Sequence, residues 1–374
     1  MKSIVRLIVA ATLVASIGRV AAADIVVAQI VPLSGPVGTP GGMFAAGASL
    51  YFDHVNQMGG LRGEHIRHLL IDDKYDVNTT RAKLRELLDG QSQPAVLMTF
   101  GTSSTLAVAA DLKARGISLP VFPTGSGSTS LRRPFDKNLF HVRASYSTEY
   151  ARLIEGMALT GVRRFSIVYQ DDAFGKDGLD AVQKMLATLH LHPALVFKHN
   201  REQQDISNLV PEVAATNCEV VLLATTANAS ASFVKQARAV KLSSRIAANS
   251  DLDPGDLIGS VGADAAKGVM LSQSLPSPVS QHIAMVADFN HLVDAAGGKL
   301  PRNALTLEGY IQARVIVEGL RRSSSLTPNA LISSFEGFRS FDLGGYSISY
   351  SPQSHEGPTF VDTVIIGAGG RVIR

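Results

Sequence analysis

The feature that most constrains the fold is an alternation of short apolar runs with amphipathic segments along most of the chain. The apolar runs are rich in Val, Ile and Leu, as strands buried on both faces are. The segments between them have helical spacing. Parallel strands joined by helices make a sheet that is covered on both sides, so the pattern predicts an α/β protein. The predicted strands are residues 25–31, 66–71, 95–100, 120–124, 140–143, 165–169, 195–197, 220–224, 246–249 and 268–272.

The alternation restarts near residue 140, which predicts two doubly wound units of similar size. After residue 272 the pattern changes, and a helical stretch followed by a hairpin is not a third unit of the same kind. We interpret it as chain that returns to complete the first two units. The predicted elements there are helices at 283–296, 305–320 and 329–335 and strands at 346–350 and 360–366.

The first 23 residues have the organisation of a secretory signal peptide. Lys2 and Arg6 precede an apolar stretch, and an A-x-A site at Ala21 to Ala23 comes before Asp24. Removal of this segment takes three basic and no acidic residues from a formal net charge of +3, so the remaining chain is neutral. Nucleic acid then has no electrostatic basis as a partner. We expect an exported protein located in a bacterial periplasm.

Motifs of catalysis and metal binding are mostly missing. The single cysteine, Cys218, excludes a disulfide framework and a multi-cysteine metal site. No nucleophile elbow, P-loop or zinc-protease motif occurs, and Gly125-Ser126-Gly127 lacks the third glycine of a dinucleotide fingerprint. We therefore predict no catalytic residue, no metal and no cofactor.

Hydroxyl side chains are concentrated where strands are expected to give way to helices. The third predicted strand runs into Gly101 and then Thr102 to Thr105, and the next runs into Thr124 to Ser130. Ligands of open α/β sheets bind beyond the carboxyl ends of the strands, where helix N-termini attract anions. The two junctions together predict a carboxylate cradle. A helix cap and a flexible loop explain the same residues about equally well.

The second unit has its own candidates at strand ends. Phe174 follows a predicted strand and precedes Gly175. We expect it either to form one wall of a small-molecule pocket or to pack on its own helix. Tyr146 lies at the expected junction of the two units, where it either hydrogen-bonds a ligand or holds the hinge. The pair Asp72 and Asp73 is a weaker candidate for acid–base work.

The order of segments resembles the periplasmic solute-binding proteins of branched-chain amino acid ABC transporters, the leucine/isoleucine/valine-binding type. The resemblance spans the mature chain and rests on Ile30 to Pro36, Val55 to Gly63, Asp72-Asp73 and Tyr169 to Gly175, besides the run after Gly101. It implies a type I periplasmic-binding fold, in which two Rossmann-like lobes joined by three hinge crossovers close on a ligand. The implied lobes are residues 24–144 with 275–340 and residues 145–274 with 341–374, and the implied crossings lie near Ser145, Gln273 and Phe341.

The resemblance also implies a ligand site. The ligand carboxylate would bind first-lobe hydroxyls and N–H groups, and Phe174 would lie over the ligand. Three positions depart from the family. Thr226 stands where a tyrosine is expected, Ser250-Asp251 where a glutamate is expected, and Pro40 about where a first-lobe tyrosine is expected. Asp251 is then the candidate partner of a ligand ammonium. The predicted ligand-binding residues are Thr102, Ser103, Ser104, Thr124, Gly125, Ser126, Tyr146, Phe174, Thr226 and Asp251.

These observations predict the substrate-binding component of an ABC transporter. It would capture a small carboxylate-bearing solute, either an amino acid or a related organic or aromatic acid, and deliver it to an inner-membrane permease. A periplasmic sensor that presents the solute to a receptor would have the same sequence features. A third hypothesis is an exported hydrolase with a serine nucleophile in 102–105. It would need His141 within hydrogen-bond reach of that serine.

Overall fold

The computed structural model describes residues 24–91 and 93–374. The predicted signal peptide, residues 1–23, lies outside the described residues. In the described part of the chain no helix is long and apolar enough to cross a membrane.

Strands and helices alternate through the first two thirds of the chain, as the apolar pattern predicted. The strands are β1 (Ile25–Val31), β2 (Ile66–Asp72), β3 (Val96–Phe100), β4 (Val121–Thr124), β5 (Phe165–Gln170), β6 (Val196–His199), β7 (Val220–Ala224), β8 (Arg245–Ala248), β9 (Met270–Gln273), β10 (Phe341–Asp342), β11 (Ser347–Ile348), β12 (Asp362–Ile366) and β13 (Val372–Ile373). The helices are α1 (Gly38–Gln57), α2 (Val77–Asp89), α3 (Thr102–Ala114), α4 (Tyr146–Leu159), α5 (Ala173–Thr188), α6 (Val210–Ala215), α7 (Ala227–Ala239), α8 (Pro254–Val261), α9 (Ala263–Ala266), α10 (Ala284–Ala295), α11 (Ala304–Arg322) and α12 (Pro328–Glu336).

The first sheet has four parallel strands in the order β2-β1-β3-β4. Successive residues of β1 face opposite sides of this sheet. Val27 packs in a core with residues of α1, α10, α11 and α12, whereas Ala28 packs with residues of α2 and α3. Both faces are therefore buried, which explains why β1 is apolar throughout. We call this sheet with its helices the first lobe.

The second sheet has seven strands in the order β13-β12-β9-β8-β7-β5-β6. Strands β5 to β9 are parallel, and β12 pairs antiparallel with both β9 and β13. Leu223 of β7 packs against α6 to α8, and Leu222 packs against α4 and α5. We call this sheet with α4 to α9 the second lobe. The prediction of two doubly wound α/β units is confirmed.

The two lobes share one topology, which decides where a ligand site can form. In the first lobe β1 lies between β2 and β3, so the connections after β1 and β3 leave on opposite sides. In the second lobe β5 lies between β6 and β7 in the same way. Such a switch point leaves a crevice beyond the carboxyl ends of the two strands. Each lobe therefore has one crevice of this kind.

Two predicted elements differ from the structure. Residues 140–143 form no strand, and only Leu139 makes an isolated bridge, with Val121. The two last predicted strands do not pair with each other. Strand β11 pairs with β10 instead. Tyr346, just before β11, packs in the first-lobe core, and its hydroxyl lies within donating distance of the carbonyls of Val142 and Ser274. Strand β12 instead joins the second sheet. The exact division of the chain into lobes at Ser145, Gln273 and Phe341 stays a prediction.

Helices α1 and α11 pack so closely that glycine is required at their contact. A β-carbon on Gly47 would lie 2.0 Å from the Thr306 carbonyl oxygen, whereas nothing lies within 4 Å of the same atom on Gly42. We expect Gly47→Ala to lower the free energy of unfolding by about 1–3 kcal/mol, and Gly42→Ala to leave it unchanged or to raise it by up to about 1 kcal/mol. Chemical denaturation of both variants checks this. Equal effects at the two positions would contradict the close packing.

Candidate functional site

A pocket lies between the lobes, where the two switch points face each other. Segments that follow β1, β2, β3 and β4 meet segments that follow β5, β7 and β8. The space between the lining residues is about 530 Å³, including solvent at the open side of the pocket. This size suits one compact small molecule. The lining residues are Val37, Pro40, Phe44, Tyr75, Phe100, Gly101, Thr102, Gly125, Phe174, Thr226, Ala227, Asp251 and Leu305.

Half of the predicted ligand-binding residues line this pocket. Thr102 and Gly125 approach from the first lobe, and Phe174, Thr226 and Asp251 approach from the second. Residues more than a hundred positions apart are thus brought to one cavity by the strand ends that carry them. Their contact with a ligand stays a prediction.

The remaining predicted hydroxyls are occupied by bonds within the protein. Thr124 donates to Gln312 Oε1 at 2.7 Å, and Ser104 lies 2.9 Å from the Thr80 hydroxyl. Ser103 donates to Asp172 Oδ2 of the second lobe at 3.3 Å. Of the hydroxyl residues at the two junctions, only Thr102 lines the pocket, and its hydroxyl also has a partner within the protein, that of Ser126.

Ser126 and Tyr146 support the pocket from behind. The Ser126 hydroxyl lies 2.8 Å from that of Thr102, and the Tyr146 hydroxyl donates to the Gly125 carbonyl at 3.5 Å. The carboxylate-cradle prediction expected the N–H of Gly125 to donate to a ligand. In the structure this N–H donates to Glu308 Oε1 at 2.8 Å.

Three helices begin at the pocket without a side-chain cap, α1 and α3 from the first lobe and α7 from the second. Helix α1 begins after Val37, whose side chain cannot cap it. Helix α3 begins after Gly101, which has no side chain to cap it. Helix α7 begins after Thr226, whose hydroxyl donates to Gln204 Oε1 instead of capping the helix. Asp172, in contrast, caps α5 through the Gly175 N–H. Uncapped N-termini leave N–H donors and a partial positive charge free for an anionic group.

Aromatic rings form the apolar wall of the pocket. The rings of Phe44 and Phe100 meet edge to face with centroids 5.6 Å apart, and Phe174 lies 5.5 Å from the ring of Tyr146. Phe44 and Phe100 were not predicted as site residues, because both belong to apolar segments that are indistinguishable from core in the sequence. The wall favours a ligand with an apolar body.

Tyr75 is a further lining residue that sequence reasoning missed. It follows β2 with a left-handed backbone, φ 63°, and its N–H donates to Asp73 Oδ1 at 3.0 Å. Asp72 likewise accepts the Lys74 N–H at 2.9 Å, so both acidic residues hold this loop in place, which is a structural role. Burial raises the pKa of the Tyr75 hydroxyl to about 12. The one sequence signal was the position of Tyr75 beyond a strand end.

The lobes touch each other around the pocket. The guanidinium of Arg201 lies over the Tyr75 ring at 3.5 Å, donates to the Tyr75 carbonyl and pairs with Asp172. On another side, Asp177 of α5 accepts the N–H groups of Thr129 and Ser130. These contacts join second-lobe residues to first-lobe loops, so the cleft is closed.

A buried cluster of charges adjoins the pocket. Arg143 Nη1 lies 2.8 Å from Asp251 Oδ1 and 3.4 Å from Glu308 Oε2, and its Nη2 lies 3.1 Å from Glu149 Oε1. Three carboxylates therefore surround one guanidinium. Burial raises the pKa of Glu308 to about 7, against the opposing effect of Arg143. Of the residues in this cluster, only Asp251 was predicted from the sequence as a site residue.

The geometry required by the hydrolase hypothesis is not formed. His141 is buried, and its Nε2 faces the carbonyl oxygen of Leu131 at 3.3 Å. Within residues 24–91 and 93–374, no hydroxyl of 102–105 has a histidine as its hydrogen-bond partner. The same residues contain no group of three or more His, Cys, Asp or Glu side chains placed to hold a metal ion.

Comparison with known proteins agrees with this architecture. Residues 24–363 match the family model described as periplasmic binding protein. The Leu/Ile/Val-binding protein homolog 7 of Brucella suis biovar 1 (strain 1330) is 25% identical over 317 residues, which cover 81% of this chain and 78% of that protein.

Solved structures show the same two-lobe arrangement. A substrate-binding periplasmic protein from Ralstonia solanacearum is 29% identical with a TM-score of 0.87, covering 94% of this chain and 99% of that one. A branched-chain amino acid ABC transporter protein from Thermus thermophilus, solved with bound valine, is 20% identical with a TM-score of 0.83, covering 94% of each chain. The chain has the type I periplasmic-binding fold, and it belongs to the periplasmic binding protein family.

Proposed function

We propose that this protein binds a small carboxylate-bearing solute between its lobes in the periplasm and delivers it to the membrane permease of an ABC transporter. The observation that carries the proposal is the pocket at the facing switch points, with an uncapped helix N-terminus from each lobe. Such N-termini bind carboxylates through backbone N–H groups and the helix dipole.

The binding mode follows from the lining. The first turn of α3 and the Thr102 hydroxyl hold the carboxylate, and the aromatic wall takes the apolar body. Closure then brings Phe174 and Asp251 of the second lobe against the ligand. Because the ligand contacts both lobes only when they meet, it favours the closed state, which is the form that a permease distinguishes from the empty protein.

The solute is either an amino acid or an acid without an ammonium group. The relatives named for Leu, Ile and Val favour an amino acid. Position 226, however, has a threonine in place of the expected tyrosine, and its hydroxyl donates to Gln204. This difference favours an acid without an ammonium group. A periplasmic sensor would use the same pocket and differs only in the membrane partner.

A thermal-shift screen of the protein without residues 1–23 tests the proposal. The panel pairs L-leucine with 4-methylpentanoate and L-phenylalanine with 3-phenylpropanoate, and adds benzoate and short amides. A ligand at 100 times its Kd adds about 2.7 kcal/mol of stability, which corresponds to a shift of roughly 2–4 °C in Tm. A panel in which no carboxylate shifts the Tm would refute a carboxylate pocket.

Delivery to a permease requires a second experiment. Cells that lack the gene should lose uptake of the radiolabelled ligand found in the screen. Unchanged uptake together with a lost transcriptional or chemotactic response to that ligand would identify a sensor instead.

The Thr102 hydroxyl is expected to contribute directly to carboxylate binding. We expect Thr102→Ala to weaken binding about 10- to 100-fold, because it removes a hydrogen bond to a charged group worth about 1.5–3 kcal/mol. Ser103→Ala is the matched control, since the Ser103 hydroxyl is directed at Asp172. Isothermal titration calorimetry measures both. Equal affinities for Thr102→Ala and the unmodified protein would place the carboxylate elsewhere.

A further inference from the structure

The charge cluster beside the pocket joins the two lobes. Glu308 lies near the start of α11 in the first lobe, whereas Glu149 of α4 and Asp251, which follows β8, belong to the second. Arg143 precedes α4 and contacts all three carboxylates. No other cation in the described parts of the chain is within salt-bridge distance of them. With every group ionised, the cluster has an excess of two negative charges in a buried place.

Glu308 is the least compensated of the three carboxylates. Glu149 contacts Arg143 and also accepts the Ser250 N–H at 2.8 Å and the Ser272 hydroxyl at 2.7 Å. Asp251 has the shortest contact with Arg143 and accepts from Asn249. Glu308 accepts the Gly125 N–H, and its contact with Arg143 is the longest of the three. Excess negative charge is therefore relieved most easily by a proton on Glu308.

Among the described residues, no group that faces this cluster from a neighbouring element forms an ion pair with its carboxylates. Tyr146 of α4 and Tyr346, which precedes β11, lie nearby, but their hydroxyls donate to backbone carbonyls. Arg132 is buried and donates to the carbonyls of Ser128 and Arg143. The excess of carboxylate thus remains in the closed cleft.

We propose that closure of the cleft takes up one proton on Glu308, so that ligand affinity rises as the pH falls. The inference rests on the function proposed above, because it concerns the closure that captures the ligand. Closure places Asp251 of the second lobe on the guanidinium that Glu308 shares, and it removes water from both. Opening separates the two carboxylates and hydrates the floor of the cleft.

The direction of the effect follows from proton linkage. In the closed cleft, burial raises the pKa of Glu308 to about 7 from the ordinary value of 4.5, and Asp251 and Glu149 add to this increase. Opening withdraws Asp251 and Glu149 from Glu308, so it removes the part of the pKa increase that these two carboxylates cause. Between the pKa values of the two forms the closed form binds more protons than the open form, so acid favours closure. Affinity should therefore fall from pH 5.5 to pH 7.5, by up to about tenfold for each unit by which opening lowers the pKa.

Small-angle X-ray scattering of the ligand-free protein tests the coupling without knowledge of the ligand. We expect a smaller radius of gyration at pH 5.5 than at pH 8.0. Glu308→Gln, which mimics the protonated acid, should be equally compact at both pH values. Glu318→Gln, on the same helix but paired with the surface residues Arg321 and Arg322, should behave as the unmodified protein does. A radius that does not change with pH, or a Glu308→Gln variant that keeps the change, overturns the proposal.

Unfolding measurements give an independent readout. Because Glu308 has a raised pKa, the folded protein binds more protons than the unfolded chain between about pH 4.5 and pH 7. Its contribution to the free energy of unfolding therefore falls as the pH rises through this window, and Glu308→Gln should remove that fall. A Glu308→Gln profile parallel to that of the unmodified protein would show that Glu308 does not titrate there. A failed ligand screen affects neither experiment, so the two proposals can fail separately.

Discussion

Arg143→Met should lower the free energy of unfolding by about 3–5 kcal/mol, because it leaves buried carboxylates without their cation. The guanidinium is 2% exposed, and Glu149 and Glu308 beside it are 0% and 3% exposed. Methionine retains the volume of the side chain but supplies no donor. The remaining carboxylates must then take up protons or admit water, and either process costs stability at neutral pH.

The matched control is Arg115→Met on the surface. Arg115 pairs with Asp89, and both side chains are well exposed, so this pair contributes about 0–1 kcal/mol. Urea denaturation at pH 7 measures both variants. The loss in Arg143→Met should shrink at pH 5, where Glu308, whose pKa burial raises to about 7, is neutral. Similar losses for the two arginines would mean that the cluster is not a buried charge centre.

Asp251→Asn should weaken binding of an α-amino acid about 100-fold, because a buried charge pair with the ligand ammonium is worth about 2–5 kcal/mol. Asp251 is the one carboxylate among the pocket-lining residues, and its side chain is 15% exposed there. The same substitution should leave binding of a deaminated acid unchanged or make it tighter, since it removes a negative charge near the carboxylate. Calorimetric titration with L-leucine and 4-methylpentanoate separates the two cases.

The stability of Asp251→Asn provides an internal check. In this variant Arg143 still pairs with Glu149 and Glu308, and the excess negative charge of the cluster falls by one. The free energy of unfolding should therefore change by less than about 1 kcal/mol, in contrast to Arg143→Met. Asp171→Asn, at an exposed pair with Lys176 and Lys198, controls for the general loss of one negative charge. An amino acid that binds equally to all three proteins would show that Asp251 does not hold its ammonium.

Local pattern was sufficient to predict most of the sheets and part of the site. Strands such as β1 and β7 are apolar throughout because both of their faces are covered, and this pattern survives in a single sequence. Thr102 and Phe174 were found because each follows a strand end, and parallel strands bring such ends to one edge of a sheet. Position in the chain thus predicted their place in the pocket.

Residues whose roles depend on distant partners were missed. Phe44 and Phe100 have the pattern of core residues, and only the meeting of helix and strand exposes their rings to the cleft. The segment 140–143 was wrongly predicted as a strand because its apolar residues fit a short buried strand equally well. In the structure, Phe140 and Val142 pack in the first-lobe core, and Arg143 is the cation of the buried charge cluster.

The sequence by itself determined the α/β class, the two doubly wound units and the strand ends at which a ligand can bind. These properties follow from the spacing of apolar residues and from the local chemistry of strand–helix junctions. Only the tertiary structure decided which hydroxyl residues line the cleft, which helix N-termini stay uncapped and which carboxylates share Arg143. The physical reason is that hydrogen bonding and charge compensation depend on neighbours far away in the chain. Glu308, for example, accepts the Gly125 N–H, and Gln312 accepts the Thr124 hydroxyl.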